Sequence, residues 1–593
     1  MVQHHVCLRR FAIAALCCLS VTGCKILLRS TQAGSTLVLS PATASLAVGN
    51  TLQLEATGGA APYTYQVATN PAQGTVSLSG LYTAPLVSGS NTVTVTDSTG
   101  AKAQASLTIV ESLSMSPSAA TSIVGLTETL EVTGGVAPFS FSLVSGSGSV
   151  TAEGVFAAPW AADTSIVQVS DSLGNTALAT RTRSSGSLSG GTNLNDVLTG
   201  GAVDTDGNIY IAGTTTGSLP GQVSLGGYDA FIVKMNAAGV VQWRKQIGSS
   251  TYDRASGLAI DSNNNVYVAG VTNGAFDGNA QLGSYDAFLY ACNSSGDKIF
   301  STQFGTASGD YATAIAVDSV NSALYVTGYT SGSLQGANAG QSDVFLRRYS
   351  FAGAVAWTAQ TGNSQSDQSL AVAVDALGFV YITGAAGSSG GSPSSFNGVA
   401  YPAGVTPAFV VKYSSAGLAQ WTVLPNTAGD YPSQGSSLVV DQNGSLYVSF
   451  LDYDALVNNN YGTAIASFST QSGATNWVAA PSLNNYGLQA SSVTIDALNN
   501  PILSSTQSIY DSESAQYYFR GIQAKFNTTT GSETWIQAVG QANKTSIGTV
   551  AAKSSDGQFS FLMGFSNDSL DGHTNLGQYD YFVSKFNSAG ALQ

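Results

Sequence analysis

The hexapeptide GGYDAF at Gly226–Phe231 returns as GSYDAF at Gly283–Phe288, as GQSDVF at Gly340–Phe345 and as GQYDYF at Gly577–Phe582. Asp229, Asp286 and Asp343 follow one another at 57 residues. A second word keeps the same beat: AVDTDGNIYIAG (Ala202–Gly213), AIDSNNNVYVAG (Ala259–Gly270), AVDSVNSALYVTG (Ala316–Gly328) and AVDALGFVYITG (Ala373–Gly384), with worn copies at 439–450, 494–505 and 551–564. A third word is led by Trp243, Phe300, Trp357, Trp421, Trp477 and Trp535. A fixed period of this length marks one supersecondary unit repeated, none of whose copies can bury its own faces. Fifty-seven residues hold about four strands of 5–6 residues plus their connections. The strands read as nearly unbroken apolar runs, so each sheet must be covered on both sides. Four-stranded sheets packed radially answer that need. Seven copies over about 195–593 predict a seven-bladed β-propeller.

Ring closure is legible at the chain end. The last copy stops at FNSAGALQ (Phe586–Gln593), which matches MNAAGVVQ (Met235–Gln242) just before the Trp-led strand. RTRSSGSLSG (Arg181–Gly190) is placed to supply the missing strand, so a final blade shared between the two ends of the ring is predicted. In the GxYDAF word, Gly is expected to permit a tight entry, Phe to face the core, and Asp to bond backbone amides at the strand edge. These copies resemble a family of bacterial seven-bladed propeller repeats, with consensus D-x-x-G-N-x-Y-V-x-G, then G-x-x-D-x-F, then a Trp-led strand. The resemblance implies the fold and is nearly silent on activity.

Two related modules precede the ring. TGGAAPYTYQV (Thr57–Val67) returns as TGGVAPFSFSL (Thr133–Leu143), GLYTAP (Gly80–Pro85) as GVFAAP (Gly154–Pro159), and DSTG (Asp97–Gly100) as DSLG (Asp171–Gly174). Alternation in NTLQLEATGG predicts strands with one buried face, arranged as small antiparallel sandwiches. The shared pattern resembles bacterial immunoglobulin-like domains found in tandem on surface proteins, which implies spacers. The fold class expected is therefore all-β: two small Ig-like β-sandwiches (36–111 and 112–184) followed by a seven-bladed β-propeller (185–593).

The first residues carry Arg9 and Arg10, then an apolar run at Phe11–Val21, then small residues. That run is too short for a spanning helix of about 20 residues and reads as a signal peptide, 1–23. Val21-Thr22-Gly23-Cys24 resembles the bacterial lipobox, which implies diacylation of Cys24, a lipid-anchored tether at 24–35, and residence in the cell envelope at the outer membrane.

Only 9% of residues are charged, against about 25% usually, and the net charge is −14. No basic run follows the first thirty residues, which argues against a nucleic-acid partner. Cys292 is the one thiol left in the body of the chain, and it is expected to be a buried small hydrophobe. His573 is the one imidazole left there, expected on a surface loop, so a Ser–His–Asp triad or His-rich metal site has no residues to use. DTDGN at Asp204–Asn208 opens like a calcium loop but has Thr215 where the closing Glu belongs. Turn chemistry asks for the same residues. No cofactor and no metal are expected. The candidate ligand-binding residues are Asp452, Asp454, Tyr453, Tyr461, Tyr510, Tyr517 and Tyr518, in segments that break the repeat. Acids beside tyrosines there suit an extracellular glycan or protein. The expected role is a binding or scaffolding module on a lipid anchor. The alternative is a polysaccharide lyase or hydrolase using acids of blades 4–6, with Asp511 and Glu513 as a further close pair.

Overall fold

The computed structural model describes residues 35–68, 73–183, 186–425, 433–453, 461–482, 492–511, 516–540, 544–571 and 573–593; of Asp452, Tyr453 and Tyr461 it describes the backbone alone. Cys24 and Asp454 lie outside these residues, as does Glu513. No helix among the described residues is long and apolar enough to cross a membrane. The chain forms two compact units. The residues up to Leu113, with Gly134–Ala137, make the first; Ser114–Thr133 and Pro138–Gln593 make the second.

The first unit pairs a four-stranded sheet (Thr43–Ala47, Lys102–Val110, Gly89–Thr96, Thr64–Val67, in that order) with a three-stranded sheet. Leu54, Tyr82, Val93, Val95, Ala105 and Leu107 form its core. Alternation drives this: in Gly89–Thr96 every second residue is buried. The same order recurs in the second unit with Ala119–Thr121, Thr176–Arg183, Asp163–Ser170 and Ser140–Ser145. Each sheet has one pair that is parallel, Thr43–Ala47 on Lys102–Val110 and Ala119–Thr121 on Thr176–Arg183, where a purely antiparallel arrangement was expected.

Beside a three-stranded sheet of the same module and the two-stranded Ser394–Phe396 and Val399–Tyr401, the second unit holds seven further four-stranded sheets among the described residues. Blade 1 runs Asp196–Val203, Ile209–Thr215, Asp229–Met235, Val241–Ile247, and blades 2 to 6 repeat this order. Each sheet packs on the next, and the seventh packs back on the first, where Thr549 Oγ1 donates to the Leu198 carbonyl at 3.0 Å. Burial follows the apolar runs: every residue of Val266–Thr272 and Asp286–Cys292, the two middle strands of blade 2, is buried. Cys292 is among them, as expected, and burial pushes its thiol up to about 11.

The seventh sheet closes as predicted. Leu188–Gly190 pairs antiparallel with Asp580–Asn587 as its outermost strand. One outcome was not predicted. At most junctions the Trp of an outermost strand donates its indole N–H to a turn carbonyl of the next blade: Trp243 to Ser294 at 3.0 Å, Trp357 to Ser415 at 2.9 Å, Trp477 to Thr528 at 2.9 Å, Trp535 to Ser588 at 3.2 Å. The closing strand has no Trp. Trp160 from the preceding sandwich takes that place, donating to the Ala237 carbonyl at 2.8 Å.

The glycine of the YVAG word answers a steric demand. Opposite it the innermost strand carries a bulge, between Ala255 and Gly257 in blade 2, and a Cβ on Gly270 would stand 2.1 Å from the Arg254 carbonyl oxygen. Blade 5 has Phe450 there, and its partner across the ladder is Gly435. Gly270→Ala should destabilise the ring by at least about 1–3 kcal/mol, read as a lowered denaturant midpoint with unchanged slope. The glycine of the GGYDAF word also serves packing rather than a tight entry: a Cβ on Gly226 would meet Ser249 and Ser250 backbone at 2.6–2.8 Å.

Candidate functional site

The innermost strands of all seven blades surround a channel of about 580 Å³. Its wall is Thr199, Ser256, Thr313, Ser436 and Thr549 interleaved with Leu258, Ile315, Val372 and Leu438. Threonine hydroxyls tie wall strands across blades, Thr199 to the Ala255 carbonyl at 2.8 Å and Thr313 to that of Ser369 at 2.7 Å. No Asp or Glu lines the channel among the described residues.

One end of the channel is distinct. There the first strands begin and the second strands end, bringing together Arg254, Tyr311, Tyr329, Gln368, Gln434 and Phe565. A run of tyrosines leads to it from blade 1. Ring centroids step from Tyr228 to Tyr252 by 5.2 Å, to Tyr285 by 6.1 Å, to Tyr311 by 5.4 Å and to Tyr329 by 4.8 Å. Register explains the run. Tyr228 and Tyr285 immediately precede Asp229 and Asp286, while Tyr252 immediately precedes and Tyr311 follows the acids that open the next blades. Tyr228 is 46% exposed, and Leu225, Leu282 and Leu576 on the same end are exposed as well. Arg254 is exposed and takes part in no ion pair among the described residues. Burial raises the phenol pKa of Tyr311 and Tyr329.

The sequence pointed to a different sector of this end. Tyr510 and Tyr517 stand opposite each other across a hairpin of blade 6, with ring centroids 5.0 Å apart, and both are 55% exposed. Tyr518 pairs with Ile509 in the same ladder. Tyr453 faces Tyr461 in backbone register in blade 5, with Asp452 beside it opposite Gly462. Both hairpins join a second strand to a third, so they project at the end that carries the tyrosine run. The run itself was missed, although Tyr before Asp in three copies of the GxYDAF word was its signal.

Other acids and the histidine resolve plainly. Asp204 Oδ1 accepts the N–H groups of Asp206 at 3.0 Å and Asn208 at 2.8 Å, and its Oδ2 accepts from the Asn208 amide at 2.8 Å. Asp261, Asp375, Asp441 and Asp496 close their turns in the same way. These acids are spent on turns, and none lines the channel. His573 is buried, 7% exposed, against the surface loop expected. Its imidazole bonds the Val124 carbonyl, and burial lowers its pKa. The cause is the sandwich packed over its loop, which local sequence does not reveal.

Comparison with known proteins bears on the fold. No curated protein matches the sequence. Among solved structures, BamB from Moraxella catarrhalis is similar at 12% identity and TM-score 0.31, over 75% of this chain and 99% of that one. A C-terminal intimin fragment in complex with the translocated intimin receptor's intimin-binding domain is similar at 15% identity and TM-score 0.20, over 25% of this chain; the match spans 62% of that fragment. The family model described as a beta-propeller repeat matches residues 199–220, 242–277 and 299–335, so the chain carries beta-propeller repeats in blades 1 to 3.

Proposed function

We infer that this protein is a binding or scaffolding module of the bacterial cell envelope, and that the tyrosine-bearing end of the ring is its contact face. One observation carries the reading: among the described residues, this end presents exposed aromatic and aliphatic side chains and the guanidinium of Arg254, which takes part in no ion pair, while no carboxylate lines the channel it opens on. Tyr and Arg are the residue types that anchor binding surfaces, because rigid amphipathic rings and a planar cation lose little entropy on contact. An enzyme acting on polysaccharide would need paired acids in a cleft. The ligand is an extracellular glycan or an envelope protein. The lipobox-like Cys24 would tether the chain to the outer membrane, with the Ig-like modules as spacers.

The test is retention of the soluble chain on immobilised extracellular polysaccharides and envelope proteins. Tyr228→Ala with Arg254→Ala should weaken a retained ligand at least about tenfold, equivalent to about 1.4 kcal/mol. Both side chains are exposed, so the fold should be little affected. Unchanged retention would remove this face from consideration. Shortening of a retained polysaccharide would establish the enzymatic alternative.

A further inference from the structure

Among the described residues, four blade junctions each bury two carboxylates that take part in no ion pair. The first acid opens the third strand of one blade and the second opens, or for Asp367 immediately precedes, the first strand of the next: Asp229 with Asp253, Asp286 with Asp310, Asp343 with Asp367. Asp580 with Asp196 repeats the arrangement at the closure of the ring. All eight side chains are at most 1% exposed. The ion pairs among the described residues, Arg181–Glu128, Lys298–Asp277 and Lys525–Asp496, involve none of them.

Both acids of a pair converge on one glycine. A Cβ on Gly305 would lie 2.7 Å from Asp286 Oδ1 and 2.8 Å from Asp310 Oδ2; on Gly191, 2.7 Å from Asp580 Oδ1 and 2.6 Å from Asp196 Oδ2. Gly248 and Gly362 hold the same place at the other two junctions. This explains a glycine that no turn demands.

The donors can be counted. Oδ2 of the first acid accepts a backbone N–H from four residues upstream, at 2.8 Å for Asp229, 2.7 Å for Asp286, 2.9 Å for Asp343 and 2.6 Å for Asp580. In three junctions it also accepts a glutamine amide, such as Gln303 to Asp286 at 2.7 Å. Oδ2 of the second acid accepts a backbone N–H at 2.6 Å in all four. Oδ1 of the first acid has no donor in any of the four, although it is buried beside the glycine that Oδ2 of its partner also approaches. A buried acceptor left without a donor is costly.

We propose that each of these four junctions binds one proton between its two carboxylates, so that one acid donates to the other across the glycine. The proton comes from solvent: it bonds to Oδ2 of the second acid, and the resulting hydroxyl donates to the orphaned Oδ1 of the first. A divalent ion fits less well. Calcium takes six to eight oxygens, and each junction offers at most two carboxylate oxygens without a donor. Burial pushes Asp367 and Asp580 up to about 6, and raises Asp196, Asp253 and Asp310, with the partner carboxylate adding to the rise in all but Asp196. The other titratable groups that feel these pairs are tyrosines, Tyr311, Tyr401 and Tyr581, all shifted upward and neutral in this range.

The sign follows from linkage. The folded pKa of Asp196, Asp253, Asp310, Asp367 and Asp580 lies above the unfolded carboxyl value of about 3.9, so the folded ring holds protons that the unfolded chain releases. Their stabilisation is complete below about pH 4 and is lost as pH rises through about 6. The soluble full chain should therefore melt higher at about pH 5 than at about pH 8, and a protonated-carboxyl stretch in its infrared spectrum should fade over the same interval. Asn at the first position supplies the missing donor permanently. Asp343→Asn should raise the melting temperature at about pH 8, and the combined Asp229→Asn, Asp286→Asn, Asp343→Asn, Asp580→Asn chain should flatten the slope. An unchanged slope in that chain, or no infrared band at about pH 5, would overturn the proposal. So would stabilisation of the parent by calcium that the Asn substitutions abolish, which would make the junctions metal sites. If the fourfold chain fails to fold, the infrared titration of the parent and the single Asp343→Asn variant still decide.

Discussion

Replacing Trp160 with alanine should destabilise the seven-sheet ring about as much as Trp243→Ala does, roughly 3–5 kcal/mol for loss of a buried Trp. Trp160 lies in the sandwich segment, yet its ring is 5% exposed and shares a core with Leu188, Phe561, Met563 and Val583 of the closing blade. It packs edge-on to Phe561, with centroids 6.4 Å apart, and Lys585 Nζ lies 5.9 Å from its centroid. The turn glycines show the equivalence best. Gly296 packs on Trp243, Gly417 on Trp357, Gly531 on Trp477 and Gly590 on Trp535, all with φ between +70° and +86°. Gly239, at φ +82°, packs on Trp160. Denaturant midpoints of the ring transition in the two variants make the comparison. A normal midpoint for Trp160→Ala beside a lowered one for Trp243→Ala would make the sandwich a passenger.

A chain begun at Asn195 should lose the cooperative unfolding transition of the ring, while one begun at Ser187 should keep it at reduced stability. The longer chain retains Leu188–Gly190 as the fourth strand of the closing blade. It retains the Ser187–Ser584 hydroxyl contact at 2.6 Å and the bond from Ser187 N–H to Asp571 at 2.5 Å. It gives up Trp160. The shorter chain leaves the backbone of Asp580–Asn587 as an open edge and uncovers Val583 and Tyr581, both buried in the intact ring. An unpaired edge over an apolar face favours association with other chains. Thermal melting with light scattering distinguishes the two. Equal cooperativity in both chains would mean that the closing strand is dispensable.

The ring was legible because repetition amplifies a weak local signal. One run such as VYVAG is ambiguous, but seven at a common period leave one way to cover sheets that are apolar on both faces. The shared last blade was legible for a related reason: RTRSSGSLSG lies just ahead of the first copy, where it can supply a fourth strand, and Leu188–Gly190 does so. The turn acids were legible because an Asx turn is closed by neighbours in sequence, as Asp204 and Asn208 show. The candidate site was read in part. Irregular segments marked the blade 5 and 6 hairpins, and Tyr510 and Tyr517 do meet at an exposed end. The tyrosine run went unread because its members come from adjacent blades, Tyr228 and Tyr285 by way of Tyr252 and Tyr311.

By itself, then, the sequence determined the elements, their number and the point of closure, since periodicity and turn chemistry act over a few residues along the chain. The tertiary structure alone decided what stands side by side across junctions: Trp160 in the seat of a blade tryptophan, His573 buried beneath a neighbouring sandwich, and Asp343 and Asp367 converging on Gly362. Those contacts join residues up to hundreds of positions apart. Their chemistry depends on burial and on the absence of a nearby charge, and both are properties of the packed ring that no local pattern carries.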